Sequence, residues 1–146
     1  MKISTKGRYA LRLMLELCRH NQSSFVPLTT VSQNQNISKK YLEQIVPLLN
    51  KSGLLQTNRG NHGGYRLAVS PAECTVGDIL RAAEGNLAPV SCLDAPQNAC
   101  PQAGSCVTLF VWQGLDKVIS DYLDSITLQD VFDHSNSAND SDNYCI

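Results

Sequence analysis

Apolar residues recur every three or four positions along most of this chain, a spacing that is typical of helices with one buried face. The pattern predicts helices over residues 5–20, 28–34, 38–50, 75–85 and 106–124, and two short strands over 54–57 and 64–69. With 146 residues, the chain can form one small domain with appended elements. We therefore expect a mainly α-helical protein with one small β-hairpin.

The third predicted helix carries polar side chains near its start and an apolar stripe behind them. Ser38 is a good N-cap residue, because its hydroxyl can accept a hydrogen bond from a free amide of the first turn. The apolar stripe consists of Leu42, Ile45, Leu48 and Leu49. The outward positions near the start hold Lys39, Lys40, Glu43 and Gln44. A DNA recognition helix presents its polar side chains in this way.

The segments on either side of this helix complete the pattern of a winged helix-turn-helix. Helix 28–34 is followed by Asn36, which tolerates the left-handed backbone of a tight turn. Between the two strands lies a glycine-rich loop at residues 58–63, which can approach a surface closely. Arg59 suits the narrow, electronegative minor groove of DNA. His62 is expected to be exposed or near a phosphate rather than bound to a metal.

Charge is divided unevenly along the chain, although the total is only −1. Residues 1–70 carry ten Lys and Arg against two Glu, whereas residues 71–146 carry two Lys and Arg against eleven Asp and Glu. Such an asymmetry indicates that one half meets a polyanion. The sequence contains no signal-peptide pattern and no membrane-length apolar run, so we expect a cytoplasmic protein.

Three of the six cysteines lie close together in a long segment between predicted helices. Cys92, Cys100 and Cys106 have the spacing C-x7-C-x5-C, and three thiolates within fifteen residues can wrap a soft metal centre. Cys18 and Cys74 are expected to be packing residues, since a free cysteine often behaves as a small buried hydrophobe.

The helix at 106–124 has two apolar stripes and therefore needs two partners. One stripe, formed by Ile119, Leu123 and Ile126, can cover its own domain. The other is expected at a two-fold dimer seam and contains Val107 together with Val111, Leu115, Val118 and Tyr122. Residues 127–132 can add a capped turn, and the Ser-, Asn- and Asp-rich residues 133–146, which include Cys145, are expected to form a disordered acidic tail.

Four segments of the sequence resemble the Rrf2-type winged-helix transcription regulators, the family of IscR, NsrR and CymR. The segments are residues 2–17, 41–44, 59–65 and 77–79. The resemblance implies a homodimer that binds a palindromic operator and acts as a repressor. Taken with the pattern above, it predicts DNA contacts from Lys2, Thr29, Ser38, Lys39, Lys40, Tyr41, Glu43, Gln44, Arg59, Gly60, Asn61 and His62.

The resemblance also implies an iron-sulfur cluster, [2Fe-2S], held by Cys92, Cys100 and Cys106. The fourth ligand is unassigned, because Leu109 stands where IscR-like members have a histidine, and Glu16 is the only carboxylate on the first helix. Thiol or disulfide redox sensing, zinc binding and a vestigial loop without a metal are the alternatives at these cysteines. There are two alternative functions. The first is a cluster-free regulator of cysteine metabolism, tuned by a sulfur-metabolism protein or a metabolite. The second is a zinc-stapled interaction protein.

The expected organisation has four parts. Residues 1–85 form a winged helix-turn-helix domain, 86–105 a cysteine-bearing sensor loop, 106–132 the dimerisation helix with a short following helix, and 133–146 the tail. We expect no enzymatic activity, because no Ser, His and Asp set or nucleotide-binding loop is evident.

Overall fold

The computed structural model describes residues 1–142, which form six helices and a two-stranded antiparallel sheet. The helices are α1 (Thr5–Arg19), α2 (Leu28–Gln35), α3 (Lys39–Lys51), α4 (Val76–Glu84), α5 (Leu109–Ser125) and α6 (Leu128–Asp142). The strands are β1 (Leu55–Asn58) and β2 (Gly64–Leu67). The expected fold class, mainly helical with a small β-wing, is confirmed. Within the described residues, no helix is long and apolar enough to cross a membrane.

Helix α1 lies at the centre of the core and packs against α2, α3, α4 and α6. Its apolar stripe is fully enclosed, with Leu13 and Met14 inaccessible to solvent. Leu128, the first residue of α6, is also inaccessible and belongs to this same core. The C-terminal helix α6 is therefore anchored to the N-terminal domain and is not an independent unit.

A carboxylate is buried between α1 and α2. Glu16 is 2% exposed and accepts hydrogen bonds from Asn34 Nδ2 at 2.6 Å and Gln35 Nε2 at 2.8 Å. His20 Nε2 lies 3.2 Å from it, and Arg19 Nη1 lies 3.5 Å away. Burial by itself would raise the pKa of Glu16, but these hydrogen bonds and the Arg19 charge bring its pKa below the ordinary value.

Helix α4 begins and ends as its sequence predicts. Thr75 and Asp78 form a reciprocal capping box, with bonds of 3.0 Å in both directions. Gly85 ends the helix with φ of 85°, a conformation that glycine adopts without steric cost.

Backbone and side-chain bonds join the two ends of α4 to the C-terminal helices. Val76 N donates to Ile126 O at 2.8 Å, and Leu128 N donates to Cys74 O at 2.7 Å. Arg81 forms a bidentate ion pair with Asp124 on α5, with distances of 2.8 and 3.0 Å. The pair is partly exposed, so it fixes geometry more than it adds stability.

Two features of the C-terminal half differ from the sequence expectation. Helix α5 begins at Leu109 instead of residue 106, because the preceding residues form a turn in which Leu109 N donates to Cys106 O. Residues 133–142, expected to be disordered, continue helix α6.

The length of α6 has a local and a long-range cause. A capping box between Thr127 and Asp130 starts the helix, with bonds of 2.9 and 3.0 Å, and Gln129 donates to Asp133 at 2.9 Å one turn later. Burial of Leu128 in the core then holds the helix in place. Residues 143–146, including Cys145, lie outside the described part.

We expect Glu16→Gln to lower the free energy of unfolding by about 1–3 kcal/mol at pH 7, because charge-assisted hydrogen bonds are lost. A carboxylate with a depressed pKa adds stability above its unfolded-state pKa and loses it as pH falls through the folded value. Stability of the parent should therefore drop more steeply below pH ~4 than that of the variant. Urea unfolding at a series of pH values measures this, with the exposed Glu73→Gln as control. Equal pH dependence in parent and variant would contradict the role of Glu16.

Candidate nucleic-acid interface

The first turn of α3 has the exposed, capped geometry expected of a recognition helix. The Ser38 hydroxyl accepts a hydrogen bond from Tyr41 N at 3.2 Å, as predicted. The buried face holds Leu42, Ile45, Val46 and Leu49, while Leu48 is half-buried. The side chains exposed to solvent are Lys39, Lys40, Glu43 and Gln44. The helix therefore presents two lysines, one carboxylate and one amide to whatever lies against it.

A tight turn connects α2 to this helix. Asn36 has φ of 52° and ψ of 48°, the left-handed conformation expected from the sequence. The Ser32 hydroxyl donates to Ile37 O at 2.6 Å and closes the turn from the other side. Thr29 is exposed in the first turn of α2.

The wing is the hairpin formed by β1 and β2. Its register pairs Leu55 with Leu67 and Asn58 with Gly64. Gly60 has φ of 121°, and Gly63 N donates to its carbonyl at 3.0 Å, which makes the loop turn sharply. The exposed loop residues are Arg59, Gly60, Asn61 and His62, all of which were predicted to face DNA.

The wing is fixed to the segment that precedes α2. Val26 and Tyr65 exchange two backbone hydrogen bonds of 2.8 and 2.9 Å. This close approach needs Gly64, because a Cβ there would lie 2.3 Å from Val26 O. Arg66 covers the ring of Phe25, with the guanidinium carbon 4.3 Å from the ring centroid, and donates to Gln56 at 2.8 Å. These contacts fix the wing relative to α2 and α3.

A groove runs between α3 and the wing. Asn50 Nδ2 donates to Thr57 Oγ1 at 3.1 Å and joins the end of the helix to the hairpin. Glu43, Lys51 and Arg59 are among the residues that line the groove. The structure thus brings Glu43, one of the predicted helix residues, and the wing residue Arg59 to one groove.

Aromatic and guanidinium contacts support the start of α3 from α1. The rings of Tyr9 and Tyr41 pack edge to face, with their centroids 5.3 Å apart. Arg12 lies over the Tyr9 ring at 5.4 Å and donates to Oε1 of Gln35 at 3.2 Å and to its carbonyl oxygen. The predicted contact residue Tyr41 is half-buried in this arrangement.

Sequence reasoning missed most of the supporting side chains. Arg12, Gln35, Phe25 and Arg66 were not singled out, and Glu16 was considered only as a cluster ligand. One signal was available for Glu16, since it lies at helical spacing from Leu13 and so falls on the buried face of α1. Gln35, which accepts from Arg12, and Phe25, whose ring Arg66 covers, are distant in sequence from these arginines, so no local pattern predicts either contact.

The cysteine segment lies between α4 and α5 and includes one 3₁₀ turn at Ser91–Leu93. Cys92 and Cys100 line the same shallow cavity. Cys106 lies at the other end of the segment, where its Sγ is 3.6 Å from Thr108 Oγ1. In the described chain, no three His, Cys, Asp or Glu side chains are gathered closely enough to hold a metal ion. Two of the three predicted thiols therefore line one cavity, and Cys106 is not among the residues that line it.

The five described cysteines fall into two chemical groups. Burial raises the pKa of Cys74 to about 11 and also raises the pKa of Cys18, so both thiols are poor nucleophiles and poor ligands. Hydrogen bonding by Thr108 lowers the pKa of Cys106, which is exposed. Cys92 is half-buried and Cys100 is exposed.

Helix α5 leaves a large apolar face open to solvent. The predicted seam residues Val111, Leu115, Val118 and Tyr122 are all exposed, the last two by 66% and 64%. Phe110 is 73% exposed beside them. The other stripe, Ile119 and Leu123, faces the body of the protein and is half-buried.

The capped basic helix, the left-handed turn before it and the anchored hairpin define a winged-helix DNA-binding protein. The chain belongs to the Rrf2 family of transcriptional regulators. Residues 3–134 match this family, which is described as iron-dependent transcriptional regulators. Because the matched proteins are regulators, the expectation of a non-enzymatic function is confirmed.

Individual relatives agree with this assignment. An HTH-type transcriptional regulator of Neisseria meningitidis is 38% identical over 141 residues, covering 97% of this chain and 94% of the relative. The solved structure of CymR, the global cysteine regulator of B. subtilis, has a TM-score of 0.73 and 36% identity, covering 92% of this chain and 98% of CymR. The structure of T. potens IscR has a TM-score of 0.74 and 37% identity, with coverage of 94% and 90%.

Proposed function

We propose that this protein is a homodimeric repressor that binds a palindromic operator through α3 and the wing. The observation that carries the proposal is the first turn of α3, where Lys39 and Lys40 are exposed behind the Ser38 cap in the basic half of the chain. A repressor of this kind acts by occupying its operator in the cytoplasm, where its target DNA lies.

The proposed contacts divide into those that position the protein and those that recognise sequence. Lys39 and Lys40 are assigned to phosphates, and Arg59 to the minor groove next to the recognition site. Glu43 and Gln44 are assigned to base edges, because a carboxylate can accept from cytosine and an amide can pair with adenine. The remaining proposed contacts are Lys2, Thr29, Ser38, Tyr41, Gly60, Asn61 and His62.

The dimer proposal rests on the exposed face of α5. Val111, Leu115, Val118 and Tyr122 follow one another at helical spacing, and an exposed apolar patch of this kind marks an interaction site. Another copy of α5 offers the same face, so two copies related by a two-fold axis can bury these apolar faces against each other. Such an axis would place two recognition helices on the two halves of a palindrome.

For the sensor we propose a [2Fe-2S] cluster held by Cys92, Cys100 and Cys106. The donor set suits iron, since thiolates are the usual cluster ligands, and two of these thiols already share a cavity. Among the described residues, Asn98 Nδ2 is buried without a hydrogen-bond partner, and an acceptor such as a sulfur would satisfy it. Cluster binding would require Cys106 to move toward the other two. The cluster would supply sensitivity to oxidants or iron supply.

A second candidate keeps the DNA binding and omits the cluster. CymR, which resembles this chain over 98% of its own length, is named as a cysteine regulator. In this alternative, a protein or metabolite of sulfur metabolism would tune the repressor. The separation of Cys106 from the other two thiols favours it.

We expect Lys39→Ala or Lys40→Ala to weaken DNA binding and to reduce its salt dependence. Each phosphate contact contributes a slope of about −0.9 to log K against log salt, so losing one should flatten the slope by that amount. Fluorescence anisotropy at several salt concentrations measures the change. Lys117→Ala on α5 is the matched control, and a slope that stays unchanged in the α3 variants would exclude the phosphate role.

We expect Leu115→Asp to separate the subunits, because it places an unpaired charge in the proposed seam at a cost of about 3–5 kcal/mol. Sedimentation equilibrium measures the change in mass. Gln113→Asp adds the same charge on another face of α5 and should leave the dimer intact. If the Leu115 variant stays dimeric, the seam lies elsewhere.

We expect serine at Cys92, Cys100 or Cys106 to abolish iron and sulfide uptake during anaerobic reconstitution, because each removes a thiolate ligand. Iron and sulfide analysis and the visible absorption spectrum measure this. Cys18→Ser should retain the iron and sulfide content and the spectrum of the parent, since this half-buried thiol has no proposed ligand role. A parent protein that stays colourless would overturn the cluster and favour the partner-regulated repressor, while bound zinc would indicate the zinc alternative.

A further inference from the structure

The N-terminus of α1 is capped by a carboxylate from α4. Oε1 of Glu84 accepts three hydrogen bonds, from Ser4 N at 2.8 Å, Ser4 Oγ at 2.6 Å and Gly7 N at 3.1 Å. Ser4 is the N-cap residue of α1, but its own side chain caps no amide, because its hydroxyl donates to Glu84. Glu84, the last residue of α4, therefore accepts a hydrogen bond from a free amide in the first turn of α1, which is the role that an N-cap side chain usually has.

Gly7 makes this arrangement possible. A Cβ at position 7 would lie 2.4 Å from Oε1 of Glu84, closer than two such atoms can approach. Gly7 is inside a helix, where glycine is less favourable than alanine. Its presence is explained by the space that the carboxylate needs.

The charge pattern around the cap explains why the carboxylate comes from another helix. The start of α1 carries no acidic residue in its first turn, although a negative charge there would favour the helix dipole. The positions hold Lys6 and Arg8 instead, both exposed, and Lys2 is exposed just before them. Glu84 supplies the stabilising charge and leaves these basic side chains free to face a polyanion.

Helix α1 contacts the recognition helix one turn beyond its basic start. Tyr9, one turn into α1, packs against Tyr41 in the first turn of α3 at 5.3 Å between ring centroids. The proposed phosphate contacts Lys39 and Lys40 directly precede Tyr41. A group that fixes residues 4–7 of α1 thus also fixes how the N-terminal arm lies relative to α3.

We propose that Glu84 is a positioning residue for operator binding, which acts by holding Ser4 and Gly7 so that Lys2 meets the DNA backbone. This role rests on the operator contacts proposed above. Glu84 itself touches no DNA. Without it, the arm that carries Lys2 would lose both bonds at Ser4 and would be held only by the packing of Ile3 against the cluster of Val76, Leu80 and Leu87, which does not fix its direction.

The test is a double-mutant cycle between Glu84→Ala, which removes the accepting oxygen, and Lys2→Ala, measured on a duplex that the parent protein selects from a random-sequence pool. In the parent, Lys2→Ala should reduce the salt slope of binding by about 0.9. In the Glu84→Ala background it should change the slope by much less, because the bonds that hold the arm are already lost. A purely structural role of Glu84 would lower the melting temperature and leave the effect of Lys2→Ala unchanged.

Two further variants serve as an independent disruption of the cap and as a control. Gly7→Ala displaces the carboxylate without removing it and should abolish the effect of Lys2→Ala in the same way, so the test survives if Glu84→Ala folds poorly. Glu73→Gln removes an exposed carboxylate just before α4 and should leave the effect of Lys2→Ala intact.

The possible failures are distinguishable. If Lys2→Ala changes the slope equally in both backgrounds, or has no effect in the parent while Lys40→Ala does, the positioning role of Glu84 is overturned and the proposed function stands. If the parent selects no duplex at all, the proposed function fails and this role fails with it.

Discussion

The fold depends on helix α1, because α2, α3, α4 and α6 all pack against it, and the first three hold part of the candidate interface or its support. A helix in this position needs apolar residues on most of its surface, yet α1 carries a buried carboxylate at Glu16. The bonds from Asn34 and Gln35 to this carboxylate are directional, whereas apolar packing alone permits small rotations. Helix α2 is therefore fixed relative to α1. The tight turn at Asn36 then limits the orientation of α3 relative to α2.

The wing is held by a different kind of contact. Two backbone bonds between Val26 and Tyr65 attach it to the segment before α2, and a third contact, from Asn50 to Thr57, attaches it to the end of α3. The hairpin has only two strands, which are marginal when isolated. Its position relative to α3 comes from these attachments, so the helix and the wing act as one surface.

The features that could be predicted from the sequence are those governed by local rules. The Ser38 cap, the left-handed Asn36 and the capping box at Thr75 each involve residues within four positions of one another. The hydrogen bond from Ser4 N to Glu84 joins residues eighty positions apart, so no local sequence pattern predicts it.

The extent of α6 illustrates the same limit. The Ser-, Asn- and Asp-rich composition of residues 133–142 is typical of disorder. Burial of Leu128 and the capping box at Thr127 outweigh that tendency, but the burial depends on contacts with α1 that the sequence does not display. Composition indicates the conformation of an isolated segment, whereas contacts with the core determine its conformation in the folded protein.

The two halves of the chain differ in how many of their polar and apolar side chains have partners within the protein. In the N-terminal half, the buried Glu16 is bonded by neighbouring side chains, and the supporting arginines lie against aromatic rings. Beyond Gly85, the described chain holds an unpartnered amide nitrogen at Asn98, accessible thiols at Cys100 and Cys106, and the open apolar face of α5. Beyond Gly85, the described chain contributes one buried residue, Leu128, to the core of the winged-helix head. The groups without partners are therefore concentrated in the half of the chain where we propose that a second subunit and an effector bind.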